Sequence, residues 1–127
     1  MNLNKLLKLQ LLYCLIGILF NVVSWIVASK SGKPLTSTEP IMGLIAMSIY
    51  GSFLLSGHFR KITLYRILMV LAIIIFGYGG IIKHFILYSE TPELYYSFLV
   101  MLIGMSINVF GTGLNIFAAL ERFKISE

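Results

Sequence analysis

The sequence predicts an all-α integral membrane protein, a bundle of four transmembrane helices with both termini on the cytoplasmic side (N-in/C-in). Three observations carry this. Four long apolar runs fill most of the 127 residues, Lys and Arg are distributed unevenly among the connecting segments, and small and amide residues recur at helical spacing inside the apolar runs.

The runs cover about residues 9–28, 41–57, 65–88 and 95–120, and together they make residues 1–127 a single four-span domain. A bilayer core about 30 Å thick needs roughly 20 apolar residues per helix, which each run approaches or exceeds. Composition agrees: 58% of residues are hydrophobic and 12% charged, against about 25% charged in soluble domains. The formal net charge of +5 would suggest nucleic acid in a soluble chain. Here the charges sit at the ends of the apolar runs, where they fix orientation, and Arg60 and Lys61 are too few for a basic surface. The expected partner is the lipid bilayer, in a plasma membrane or a bacterial inner membrane, and no nucleic acid is expected.

The first span follows Lys5 and Lys8, as a signal peptide would, but the run is long and Ser29-Lys30-Ser31 is a poor cleavage site, so the span is expected to be retained. Its Cys14 is the one cysteine, which excludes an intramolecular disulfide and a Cys/His metal cluster. The second span opens on Thr38-Glu39-Pro40. The fourth opens on Thr91-Pro92-Glu93, which reads as N-cap, first-turn proline and first-turn acid. Arg66 and Lys83 bracket the core of the third span, with the helix continuing past Lys83 to Tyr88. Trp25, Tyr88, Tyr95 and Tyr96 fall near the outer boundary and Tyr13 and Tyr65 near the inner one, the levels at which aromatic rings anchor.

Basic residues set the orientation. Lys5, Lys8, Arg60, Lys61, Arg66, Arg122 and Lys124 lie at one side, and only Lys30, Lys33 and Lys83 at the other. The richer side faces the cytoplasm. Acids follow the reverse trend, with Glu39, Glu90 and Glu93 outside and Glu121 and Glu127 inside.

In the first span Gly17, Asn21, Ser24 and Ala28 fall at i, i+4, i+7 and i+11, and in the fourth Gly104, Asn108, Gly111 and Asn115 repeat that spacing. Each set is one stripe along a helix, expected to face inward as a packing face or as the lining of a path, with an amide pair between Asn21 and Asn108. Ser48, Ser52 and Ser56 form a weaker stripe beside Gly43 and Gly51 in the second span. Gly77, Tyr78, Gly79 and Gly80 place three glycines in four residues of the third. Because glycine costs up to about 1 kcal/mol in a helix interior, such a cluster marks close backbone packing, a kink, or contact with a flat ligand.

The most chemical-looking group is the outer cluster of Lys83, His84, Glu90 and Glu93. It reads either as a proton-handling or anion-binding site or as a solvated loop with one basic stop residue. No Asp, Glu, Lys, Arg or His occupies the central turns of any span, which disfavours an ion-coupled transporter. No Ser/His/Asp set, His pair or phosphate loop points to an enzyme, and no metal or cofactor is expected. The reading that follows is non-enzymatic: an accessory or assembly subunit packing on a larger membrane complex through its Met101/Met105 and Phe110/Phe117 faces, or by self-association. Two alternatives are an oligomeric transporter or channel with an asparagine-lined path, and a protein that binds a lipid- or quinone-type ligand near Gly77–Gly80.

Overall fold

The computed structural model describes residues 1–125; Ser126 and Glu127, the latter assigned above to the inner side, lie outside the described residues. Four helices are each long and apolar enough to cross a membrane: α1 (Leu3–Ser31), α2 (Pro40–His58), α3 (Ile62–Glu90) and α4 (Phe98–Ala119). They pack antiparallel in sequence order, and α1 closes the ring against α4. The two ends of the chain meet at one end of the bundle, where Leu3 N–H donates to Lys124 O (2.8 Å) and Lys124 N–H to Met1 O (3.0 Å).

Local chemistry sets each boundary. Asn2 caps α1 by accepting from Lys5 N–H at 2.8 Å. Gly32, at φ 81°, ends the helix in a left-handed residue, with its N–H on Ala28 O. Within the Thr38-Glu39-Pro40 opening it is Glu39 that caps α2, its carboxylate accepting from Ile41 and Met42 N–H (3.1 and 2.8 Å) with Pro40 in the first turn. Two non-glycine residues adopt positive φ, Arg60 (61°) after α2 and Glu121 (57°) after α4. Each allows the next residue's N–H to reach back five residues, Lys61 to Ser56 O and Arg122 to Phe117 O, and so satisfies carbonyls that the helix end leaves open.

The fourth helix begins later than the sequence suggests. Thr91 does not cap it: its hydroxyl donates to Leu87 O (3.0 Å) and finishes α3 instead. Pro92–Leu94 makes one 3₁₀ turn, Tyr95 is extended, and Ser97 caps α4 by accepting from Val100 N–H at 3.1 Å. In α1 and α3 the helix runs beyond the apolar core at both ends, to 29 residues each.

α3 is not uniform. Residues Ile73–Ile82 form a π-helix, closed by Lys83 N–H on Tyr78 O, and this stretch contains Gly77, Gly79 and Gly80. The wider turn changes which residues face inward. Buried positions along α3 are Tyr65, Met69, Ala72, Phe76, Gly80 and His84. In an α-helix, steps of four drift by about 40° each at 3.6 residues per turn, which would swing His84 off the face that Ala72 occupies. The π-helical turns cancel that drift and hold Phe76, Gly80 and His84 inside.

The core contains three mutually perpendicular rings. Tyr13 and Tyr50 lie 5.2 Å apart between centroids, Tyr50 and Phe76 5.6 Å, and Tyr13 and Phe76 6.2 Å, all edge-to-face. Tyr13 and Tyr65, expected at the inner interface, are instead fully buried. Each finds an amide inside the bundle for its hydroxyl, Asn108 for Tyr13 and Gln10 for Tyr65, which removes the reason for a phenol to seek the headgroup level. Trp25 and Tyr96 remain exposed.

Candidate functional site

Between the aromatic trio and the Thr36–Glu39 segment lies a cavity of about 510 Å³. Tyr13, Met47 and Phe76 meet it from the core side. Its walls come from Gly17, Phe20 and Asn21 of α1, Met42, Gly43 and Ala46 of α2, Ile75, Gly79 and Gly80 of α3, and Gly104, Ile107 and Asn108 of α4. Lys83, His84, Ser37 and Thr38 stand at the loop end. A volume within roughly 300–1,000 Å³, mostly apolar with a few convergent polar groups, is the usual form of a small-molecule site.

The cavity exists because α2 and α3 diverge. α2 packs along Ile62–Ala72, whereas the π-helical stretch of α3 packs principally against α4. Two residues on the facing walls are also open to the outer surface, Met42 at 60% exposure and Ile75 at 44%. Exposed lining residues on both the α2 and the α3 wall are what a gap open along its side would have.

Glycines on each stripe receive a side chain from the neighbouring helix. Met47 fills the space above Gly17, Asn21 that above Gly43, Asn108 that above Gly80, and the Tyr13 ring that above Gly111. The amide pair expected between Asn21 and Asn108 does not form. Asn21 donates to Gly17 O of its own helix at 2.8 Å. Asn108 accepts from the Tyr13 hydroxyl at 2.7 Å and donates to Gly80 O (3.3 Å) and Gly104 O (3.2 Å). Facing glycines let each amide reach backbone or phenol before it could reach the other amide. Ser24 accepts from Leu35 N–H (2.9 Å) and ties the first loop to α1.

Asn115 belongs to a separate site. It is fully buried beyond the aromatic trio, where it accepts from Gln10 Nε2 (3.1 Å) and from the Tyr50 hydroxyl (2.6 Å). Gln10 in turn accepts from the Tyr65 hydroxyl and places Nε2 3.1 Å from the Met69 sulfur. Asn21 and Asn108 line the cavity and Asn115 does not, so the three amides share no continuous lumen. Sequence reading missed Gln10, Tyr50 and the buried roles of Tyr13 and Tyr65. One signal was present: Gln10 lies seven residues before Gly17 and extends its stripe by two turns.

The outer cluster divides. His84 turns inward and is buried, while Glu90 and Glu93 are exposed and Lys83 stands at the cavity mouth. His84 Nδ1 lies 2.7 Å from the Tyr95 hydroxyl and Nε2 3.1 Å from Thr38 Oγ1, with Ser37 Oγ 3.0 Å from Tyr95. Burial pushes the Tyr95 phenol above its ordinary pKa, against a smaller opposing effect of the Ser37 hydrogen bond. It therefore keeps its proton, and the tautomer of His84 sets the direction of the chain: with Nδ1 as acceptor, Tyr95 donates to it, Nε2–H donates to Thr38 and Ser37 donates to Tyr95. This chain of bonds joins α3, the Ser37–Thr38 segment before α2 and Tyr95 before α4. Among the described residues the only ion pair is Arg66–Glu121 (3.2 Å), at the opposite end of the bundle.

Of the glycine cluster, Gly80 seats Asn108, Gly77 lies beside Thr112, and Gly79 lines the cavity with open space where a Cβ would be. Tyr78 points out at 57% exposure. No family of proteins, curated protein or solved structure matches this chain in comparison.

Proposed function

We propose that this chain is a non-enzymatic membrane protein that takes one small amphipathic molecule from the bilayer into the cavity between α2 and α3. The observation that carries the reading is the cavity of about 510 Å³ between α2 and α3, with mostly apolar walls that include the exposed Met42 and Ile75, and with amide and hydroxyl groups at its depth and its loop end. A photoreactive long-chain alcohol incorporated into liposomes tests it. The alcohol is expected to cross-link to Met47 and Ile75 in the wild-type chain and to lose those adducts in Gly79→Phe, where the added ring fills open space. Cross-links at outward-facing Leu19 serve as the reference and stay constant. Equal labelling of Met47 in both chains would sink the reading.

The N-in/C-in orientation is part of the proposal and rests on the excess of basic residues at the end bearing the termini and the α2–α3 turn. In intact cells, a membrane-impermeant maleimide is expected to label Glu93→Cys and to reach Lys61→Cys only after permeabilisation, with Cys14→Ala as background. The reverse pattern would invert the topology.

A second reading, an accessory subunit of a larger membrane complex, is favoured by one feature. An apolar groove between α1 and α4, formed by Ile16, Leu99, Leu102, Ile103, Ser106, Ile107 and Phe110, carries a small polar residue at the kind of position where membrane helices approach closely. An asparagine-lined transport path has weaker support, because the aromatic trio stands between Asn108 and Asn115.

A further inference from the structure

We infer that the cavity selects a single-chain amphiphile with an anionic head, a carboxylate or a phosphate monoester, held by Lys83 at the mouth while its chain lies between α2 and α3. This rests on reading the cavity as a ligand site and adds the chemistry of the ligand.

The argument starts from charge. Lys83 is exposed, lines the mouth, and has no acidic partner among the described residues, whose only ion pair is Arg66–Glu121. An ammonium placed along a membrane-crossing helix is costly unless an anion or water meets it, so a ligand that brings a negative head has a ready counterion here. The other charge at the mouth is Glu39, and its two carboxylate oxygens already accept from Ile41 and Met42 N–H at the start of α2. That helix terminus partly offsets the Glu39 charge.

The hydroxyls of Ser37 and Thr38 also line the mouth. Both are engaged with the His84–Tyr95 group, Thr38 on Nε2 and Ser37 on the Tyr95 hydroxyl. With Nδ1 of His84 as acceptor, Thr38 accepts from Nε2–H and its own O–H is free to donate to an oxyanion beside Lys83, while Ser37 donates to Tyr95 and keeps only acceptor capacity. Below the mouth the lining is mostly apolar, from Met42, Ala46, Met47, Ile75, Phe76 and Ile107. The Asn21 and Asn108 amides there are already bonded, Asn21 to Gly17 O and Asn108 to Tyr13, Gly80 O and Gly104 O. A head-and-tail molecule matches that division, and a volume of about 510 Å³ suits one hydrocarbon chain better than two.

The test uses the full-length chain in nonionic detergent, with binding read by native mass spectrometry. Three probes share one hydrocarbon chain: oleate, oleoyl lysophosphatidate and oleyl alcohol. The two anions are expected to form one-to-one complexes at least about tenfold tighter than the alcohol, the scale of one charge-assisted contact. Lys83→Gln is expected to erase that difference without weakening the alcohol, and Lys83→Arg to keep it. Whichever anion binds more tightly identifies the head. If the alcohol binds as tightly as the anions and Lys83→Gln changes nothing, the anion preference is overturned while the cavity remains a binding site. If no probe binds one-to-one, or if Gly79→Phe binds all three unchanged, the cavity reading falls and the anion preference with it.

Discussion

Gly111→Ala is expected to destabilise the bundle by about 2–3 kcal/mol, toward the upper end of the usual overpacking range. The Tyr13 ring occupies the space that the new methyl group would need. The ring has nowhere to go, because it is fully buried, edge-on to Tyr50 and Phe76, and anchored through its hydroxyl to Asn108 at 2.7 Å. α1 and α4 must separate, or the phenol must abandon its amide. Gly113→Ala on the same helix is the control, since nothing lies within 4 Å of a Cβ there. It is expected to be neutral or to gain up to about 1 kcal/mol from helix propensity. Unfolding by sodium dodecyl sulfate, followed by circular dichroism, separates the two; equal midpoints would mean that Tyr13 does not sit on Gly111.

The second large effect is expected at Asn115. Its carbonyl oxygen accepts from Gln10 and Tyr50 inside the bundle, so Asn115→Leu conserves size and orphans two buried donors. Interhelical hydrogen bonds in a membrane average about 0.6 kcal/mol with a maximum near 1.7, and unsatisfied buried donors cost about 1–3 each. The expected loss is about 2 kcal/mol, below the water-based sum because the native Asn115 Nδ2 already lacks a partner. Combining Gln10→Leu with Asn115→Leu is expected to cost less than the sum of the two single changes, since they share a bond. Strict additivity in the same unfolding assay would separate the two residues.

Much of the architecture was legible because it depends on local pattern. Run length gives four helices, and the spacing of Gly17, Asn21, Ser24 and of Gly104, Asn108, Gly111, Asn115 identifies inward faces without knowledge of what lies opposite. What those residues touch was not legible. Asn21 and Asn108 stand at similar depth, yet Gly43 and Gly80 each accommodate an amide on another helix and keep the two apart. Tyr13 and Tyr65 look like interfacial anchors until Asn108 and Gln10 are known to face them. Thr91 reads as the cap of the fourth helix in sequence, and only the structure puts its hydroxyl on Leu87 O and gives the cap to Ser97. The inward turn of His84 depends on a π-helical stretch whose glycines are equally compatible with a kink. A cavity is harder still to read, since it is set by the angle between α2 and α3 and by no residue alone.

The central claim, a laterally open site that holds one amphipathic molecule, is tested most directly by extracting the whole chain from its own membrane in nonionic detergent and weighing it by native mass spectrometry. The account predicts a chain carrying one small-molecule adduct, retained in Gly113→Ala and lost in Gly79→Phe. A chain without adducts, or one whose adducts persist in Gly79→Phe, would contradict it; heavier proteins bound in fixed ratio to such an adduct-free chain would move the function to the accessory-subunit reading.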